Sequence, residues 1–454
     1  MHLSALCFTA TALIFIIQAK GSCDVDEVTP TVWLGDEEDI NKCKADETSC
    51  GLFGLDFICQ DPNGGEFEPC TEGTKVLCAS PPPIPLAPPT PVSTFRVIAY
   101  NVWELRYLYY QNGQRERTCR IPREVVQMHP DVDVIVFNEA FMGGCFSEFN
   151  STIGASILTF RDILTQYGFI YYTNTVGDPP QLPKLENGGV FIASRWPIIK
   201  EDYCIYNDSV MATADAISGK GAVYAKVEKT VDGTSMTYHI LGTHLQATSR
   251  PTADFVRVSQ AEEMHELMMK QNIPDDEPVI YAGDLNARNG TRHGNNVMQA
   301  LDAAIPNFIG DRIYTYDGPE NDLLISNSTS WIDYAVFSKS HLQPSSSTLE
   351  VVRPRSQEPF DVCMLSLAVV PTYANSERCL LNRTVTDLAD HYAVMGVFDF
   401  GSTTTLPPSS TLPPTIVTSQ PVDLLTTDSG TDAMTTSIFL FLILPLWFAF
   451  VLSQ

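Results

Sequence analysis

Carboxylates, carboxamides and imidazoles recur in this chain at one kind of place, the end of a short apolar run. Val279-Ile280-Tyr281-Ala282 leads into Gly283-Asp284-Leu285-Asn286, Phe95 to Tyr100 stops at Asn101, and the run from Val132 stops at Asn138-Glu139. His239 to Thr243 ends at His244, Asp333 follows Ile332, and Asp390-His391 precede Tyr392-Ala393-Val394-Met395. Apolar runs of this length bounded by polar residues read as buried strands, so several strand ends are expected to converge on one site. The residue types suit hydrolysis of a phosphodiester, which needs a cation to neutralise phosphate, a base for water and donors for the charge that builds on the phosphoryl oxygens. Glu139 is a hard oxygen ligand of the kind Mg²⁺ prefers, and Asn101 offers either an amide oxygen or a donor. His391 is the base candidate, with Asp333 to fix its tautomer. No His-x-His or His-Glu-x-x-His spacing points to zinc.

Taken singly, each of these signals is weak. A strand-end Asp or Asn is more often a turn former or cap. A lone histidine is more often structural, which is the reading given to His129, His239, His265, His293 and His341. The repetition of the pattern is what carries weight. The intervening segments supply helices: Phe255, Val258, Ala261, Met264, Leu267, Met268 and Gln271 recur at helical spacing and predict an inward face, with Arg257, Glu262, Glu263 and Lys270 elsewhere. A second helical stretch is expected from Ile157 to Tyr167, stopped by Gly168. Strands alternating with such helices give an α/β class.

In their order, Tyr100-Asn101, Asn138-Glu139, Gly189 to Pro197, Gly242-Thr243-His244, Gly283 to Asn286, Asp333-Tyr334 and Asp390-His391 resemble the endonuclease/exonuclease/phosphatase superfamily across residues 93–400. Within it, Gly242 to Ala247, Ser218-Gly219-Lys220-Gly221, Tyr316-Asp317-Gly318 and Phe337 to Pro344 resemble the secreted bacterial-type neutral sphingomyelinases. The resemblance implies a DNase I-like two-sheet β-sandwich flanked by helices and cleavage of sphingomyelin to ceramide and phosphocholine. It implies Mg²⁺, with Mn²⁺ or Co²⁺ as substitutes, at Glu139 with Asn101 and Asp390. His391 would activate water, oriented by Asp333, while Asp284 and Asn286 position water and phosphate. His244, Asn286 and Lys220 would contact substrate, and which histidine serves the leaving group stays open. Two departures stand out. Phe141-Met142-Gly143-Gly144 occupies the place of an accessory edge metal site, and Cys363 to Val370 replaces an aromatic-tipped membrane hairpin with an aliphatic segment that reads either as a lipid contact or as a buried strand. The competing functions are a secreted DNase I-like nuclease and a catalytically inactive anchored binding protein.

The rest of the chain bears on location. Residues 1–21 read as a signal peptide, 22–80 as a cysteine-rich module, 81–92 as a stiff Pro-rich spacer, and 93–400 as the catalytic domain. Residues 401–437 read as a Ser/Thr/Pro-rich stalk with an anchor attachment region, and 438–454 as a GPI signal or a membrane segment. Twelve cysteines fit an oxidising compartment. Cys119 with Cys145 and Cys363 with Cys379 are expected as local bridges, Cys204 is unassigned, and the pairing of the six N-terminal cysteines is left open. Five sequons, at Asn150, Asn207, Asn289, Asn327 and Asn382, fit a glycoprotein. The expected place is the extracellular face of the plasma membrane or secretion, with outer-leaflet sphingomyelin as partner. A net charge of −26 argues against nucleic acid as the main partner.

Overall fold

Two β-sheets packed face to face position the residues singled out above. The computed structural model describes residues 23, 25, 29–35, 42–65, 69–106, 111–146, 157–366 and 379–401. The expected signal peptide, stalk and C-terminal tail, the sequon at Asn150, and the aliphatic segment beyond Ser366 lie outside the described residues. Among the described residues no helix is long and apolar enough to cross a membrane.

One sheet has six strands, in the order Ala303–Ala304, Asp333–Ser338, Val279–Asp284, Thr234–His244, Gly221–Val231, Ile198–Ile205. The other has seven, in the order Asn307–Ile309, Ser346–Val352, Ala393–Asp399, Thr94–Glu104, Val134–Ala140, Phe191–Ser194, Tyr171–Tyr172. Each sheet has a central parallel pair, Thr94–Glu104 with Val134–Ala140 in the seven-stranded sheet and Thr234–His244 with Val279–Asp284 in the other, and Asn307–Ile309 runs parallel to Ser346–Val352 at the edge of the seven-stranded sheet. Strands covered on both faces read as apolar runs, as Val97 to Tyr100, Val134 to Phe137 and Val279 to Ala282 do. Phe95, Val97, Val136, Ile192, Val223, Tyr238, Ile240 and Ile280 fill the space between the sheets, with Phe95 stacked on Tyr238 at 3.9 Å between ring centroids.

The outer faces are covered by helices and, on one side, by the N-terminal module. The helix Pro251–Met269 lies on the six-stranded sheet and buries most of the face that its periodicity predicts, Ala261, Met264, Leu267 and Met268, with Val258 packed beside them; the departure is at Phe255. Phe255 is 76% exposed whereas Arg257 is 7% exposed. Arg257 and Gln260 join that buried face: Arg257 Nε donates to Gln246 O at 2.8 Å and Gln260 Oε1 accepts from Gln246 N at 2.7 Å. Satisfying the buried backbone just after His244 outweighs burying one phenyl ring. The predicted helix from Ile157 is shorter, Phe160–Thr165, because Thr159 and Asp162 form a capping box and Leu158 pairs with Phe146 instead.

The cysteine-rich segment folds as a four-stranded sheet of Thr31–Leu34, Lys42–Lys44, Asp56–Asp61 and Glu72–Ala79. Its bridges are Cys23–Cys59, Cys43–Cys70 and Cys50–Cys78. The expected local bridges Cys119–Cys145 and Cys363–Cys379 are present, and Cys204 is the free thiol among the described residues. The module shares a core with the outer helices: Phe53 meets Phe146 edge-on at 4.8 Å, and Arg120 donates to Leu52 O and Gly51 O, each at 2.9 Å.

At the end of the sandwich opposite the strand-end polar cluster, a buried ion pair ties the sheets together. Lys229 Nζ lies 2.9 Å from Asp133 Oδ1 and also donates to Thr94 O and Thr90 Oγ1 at 2.7 Å. Asp133 further accepts from Trp196 Nε1 at 2.7 Å and Arg96 N at 2.9 Å. Removing one partner of a fully satisfied buried pair strands the other charge in the core. Lys229→Met is therefore expected to cost about 3–5 kcal/mol of unfolding free energy in chemical denaturation; a cost below about 1 kcal/mol, as for an exposed pair, would contradict this role.

Candidate active site

Strand register forces the convergence that the sequence suggests. Asn101 stands opposite Asn138, His244 opposite Asp284, and Asp284 opposite Asp333. Ala393–Asp399 runs antiparallel to Thr94–Glu104, so the residues leading into it, Asp390 and His391, arrive at the same end. Tyr392 N donates to Thr315 O, and Thr315 Oγ1 accepts from Ile332 N at 3.0 Å and Asp333 N at 3.2 Å, which fixes the His391 and Asp333 segments to each other. The two sheets are joined here by carboxamides: Asn138 Nδ2 donates to Thr243 O at 2.7 Å and Asn138 Oδ1 accepts from Asp284 N at 3.1 Å. Gly283, at φ +139°, permits this approach, since a Cβ there would meet Thr243 O at 2.0 Å. Glu139 and Asn286 adopt left-handed backbone conformations, φ 55° and 49°, as each strand breaks off at the site.

His391 Nδ1 lies 2.8 Å from Asp333 Oδ2, leaving Nε2 able to accept a proton. Asp284 Oδ2 lies 3.9 Å from the same Nδ1. Both oxygens of Asp284 are engaged, Oδ1 by Asn286 N at 2.8 Å and Oδ2 by Asn101 Nδ2 at 3.1 Å. Asn286 Nδ2 donates to Leu245 O at 3.2 Å and lies 3.1 Å from His244 Nε2, so that nitrogen is the acceptor and the proton of a neutral His244 sits on Nδ1. Glu139 Oε1 is 3.8 Å from His244 Nε2 and 3.1 Å from Asn101 Nδ2. Lys220 Nζ is buried, donating to Leu245 O at 2.9 Å and lying 3.2 Å from Asp215 Oδ1.

Burial and crowding of charge set the proton affinities. Desolvation, then the charge of Asp333, push Asp284 up to about 7, with His391 opposing. Desolvation likewise pushes Asp390 up to about 7, relieved by His391 and worsened by Glu139, and raises Glu139. Burial and the cations Lys220 and His391 hold His244 well below the usual imidazole range. Burial would lower His391 too, but Asp333, Asp390 and Asp284 outweigh it and lift it well above 6.5. Four carboxylates beside one imidazolium and one ammonium form a site short of positive charge.

The donor chemistry fits a hard divalent cation. Glu139 and Asp390 offer carboxylate oxygens, Asp390 Oδ1 is buried with no hydrogen-bond partner, and Asn101 adjoins Glu139. Asn101 faces Glu139 through its N–H, because its Oδ1 accepts from Trp103 N at 3.1 Å; it would ligate an ion only after that amide turns. Asp284, Asp333 and His391 also bring one ligand atom each within 4.8 Å of one another. An ion among them would have to displace the proton shared by His391 and Asp333, so Glu139 and Asp390 are the better-suited pair. In the segment after Glu139, Gly143 N and Gly144 N donate to the Glu104 carboxylate at 3.1 and 2.9 Å.

All the sequence-predicted site residues thus meet at one end of the sandwich, Lys220 included. Sequence reasoning missed three supports. Asp215 holds Lys220, Thr315 holds the Asp333 and His391 segments, and buried Arg117 donates to Val102 O, Trp103 O and Leu388 O at 3.1, 2.8 and 2.6 Å, tying the end of Thr94–Glu104 to the segment that leads into Asp390 and His391. None ends an apolar run, so nothing in the pattern marks them. Since Asp333 is the leading cause that raises His391, Asp333→Asn should bring the His391 titration midpoint in metal-free protein down towards or below 6.5, read from its ring proton shifts; an unchanged midpoint would show that the pair is not what sets the imidazole.

Known proteins share this architecture. The Endonuclease/Exonuclease/phosphatase family matches residues 98–387. Sphingomyelinase C of Bacillus cereus is 27% identical over 281 residues, covering 59% of this chain and 81% of that protein. The crystal structure of sphingomyelinase C from Streptomyces griseocarneus superposes with a TM-score of 0.53 at 26% identity, covering 67% of this chain and 99% of that one. A beta toxin double mutant from Staphylococcus aureus with bound magnesium ions gives 0.54 at 26% identity, covering 66% and 98%. With well over half its length matched and its polar strand ends gathered at one site, the chain belongs to the endonuclease/exonuclease/phosphatase family.

Proposed function

We propose that this phosphodiester hydrolase cleaves sphingomyelin at a membrane surface outside the cell, releasing phosphocholine and leaving ceramide, with Mg²⁺ as its cation. The observation that carries this reading is the buried His391–Asp333 pair at 2.8 Å, with the charge of His391 acting on the Glu139 carboxylate. The lipid half of the reading is supported by the named activity of the relatives at about a quarter identity and by the hairpin Arg355–Ser366 and Cys379–Asp387. That hairpin leaves the sandwich at the catalytic end, is closed by Cys363–Cys379, and exposes Leu365, Leu380 and Leu381. Five disulfides among the described residues support an oxidising, extracellular setting.

When bound by Glu139 with Asp390 and Asn101, Mg²⁺ would draw charge from the phosphate oxygens. His391 takes a proton from water at Nε2 while Asp333 holds Nδ1–H and stabilises the resulting imidazolium. The water oxygen bonds to phosphorus as the bond from phosphorus to the ceramide oxygen breaks, and that oxygen accepts a proton and leaves as the alcohol. Asn286, His244 and Lys220 line the side on which phosphate charge builds. Asp284, with both oxygens occupied by Asn286 and Asn101, holds those two residues in place.

Phosphocholine release from sphingomyelin vesicles is expected to stop with chelator, return with Mg²⁺, and fall by about 10²–10⁴-fold in His391→Ala. Release that survives either change would refute the mechanism, and cleavage of plasmid DNA without phosphocholine release would make the protein a nuclease. Glu139→Gln should weaken Mg²⁺ binding by more than about tenfold in calorimetry; unaltered affinity would move the ion to the Asp284, Asp333 and His391 group.

A further inference from the structure

We propose that a second apolar rim, formed by the loops 177–190 and 206–220, docks this protein on a zwitterionic lipid surface from the side of the active site opposite the disulfide-closed hairpin. The proposal rests on the sphingomyelin reading and adds to it a surface that the catalytic residues do not include. Its position follows from strand direction. Phe191–Ser194 runs antiparallel to Val134–Ala140, so the loop before it emerges beside Glu139, where Ala140 N donates to Gly189 O at 2.9 Å. Ile205 pairs with Gly221, and Ala222 pairs with Thr243, so the loop joining Ile205 to Gly221 emerges beside His244. The hairpin leaves the same end, next to the Val352–Ala393 pair. In the order of the seven-stranded sheet, the strands carrying Asn101 and Glu139 lie between the hairpin and the loop 177–190.

These loops expose large apolar side chains that nothing else in the fold uses. Leu182 is 86% exposed, Leu185 57% and Met211 77%. Scattered exposed apolar residues are ordinary; these three lie on the two loops that emerge beside Glu139 and His244. The two loops are bonded to each other: Leu185 N donates to Ile217 O at 2.7 Å, Gly219 N to Glu186 O at 2.8 Å, Ser218 Oγ to Asn187 O at 2.8 Å and Lys184 Nζ to Ala216 O at 3.2 Å. The apolar tips are therefore held on a fixed backbone, which lowers the ordering cost of binding. The same loop carries Lys220 and Asp215, so lipid contact and phosphate contact share one element. With a net charge of −26 the chain is repelled by anionic bilayers. The fitting partner is a choline-headgroup surface, entered by aliphatic tips.

The test uses the full chain and a Leu182→Ser, Leu185→Ser, Met211→Ser triple variant. Co-sedimentation with sphingomyelin–phosphatidylcholine vesicles is measured in chelator, and turnover with Mg²⁺ is measured on those vesicles and on monomeric 4-nitrophenyl phosphocholine. The variant should bind vesicles at least about tenfold more weakly, with turnover of the monomeric substrate unchanged. Unchanged vesicle binding would overturn the rim, as would an equal loss on the monomeric substrate, which would place these residues in the catalytic machinery. A wild-type chain that binds vesicles but releases no phosphocholine would instead overturn the sphingomyelin reading and leave the rim standing.

Discussion

The structure depends on the confinement of Glu139, Asp284, Asp333 and Asp390 between the ends of two sheets. Carboxylates brought this close and this far from water resist ionising together, which is why two of them are pushed up to about 7. Several features of the site respond to that excess. Asn101 donates to two of the carboxylates, three of them raise the proton affinity of His391 in the metal-free site, and Lys220 is buried nearby with its own counter-ion. A divalent cation completes the compensation, and a phosphodiester brings its own negative charge to a place where that cation and the donors can meet it.

The opposite end of the sandwich shows the contrast. Asp133 is just as buried, but Lys229, Trp196 and Arg96 satisfy it completely, so it glues the sheets and does no chemistry. The two ends therefore differ in satisfaction rather than in polarity. One holds a closed network; the other keeps Asp390 Oδ1, Asp333 Oδ1 and His244 Nδ1 buried without partners. Unsatisfied polar atoms in a buried site are costly and mark a place prepared for a ligand.

Much of this was legible before any coordinates. Strand alternation gave the class, and residues breaking off apolar runs gave Asn101, Glu139, His244, Asp284 and Asp333, because a strand buried on both faces leaves its chemistry only at its ends. Three things were not legible. One end of the inward face of Pro251–Met269 was misread, because helical periodicity ranks Phe255 above Arg257, whereas the buried backbone after His244 needed Arg257 and Gln260. Thr315, Asp215 and Arg117 act through loops whose partners are distant in sequence, so no spacing announces them. The N-terminal module read as a unit beyond a stiff spacer; in the fold Phe53 and the carbonyls of Gly51 and Leu52 meet Phe146 and Arg120, and Arg120 also stacks over Phe360 of the hairpin at 4.0 Å.

The central claim, that crowded carboxylates are compensated by a divalent cation, is tested most directly by counting protons. Carboxyls pushed up to about 7 carry protons at pH 6 in the metal-free chain, and an ion that replaces them must release them. Calorimetric titration of Mg²⁺ at pH 6, in buffers of different ionisation enthalpy, should show a net release of roughly one proton or more per ion bound, fading as the pH is raised well above 7. Binding without proton release at pH 6 would contradict the account.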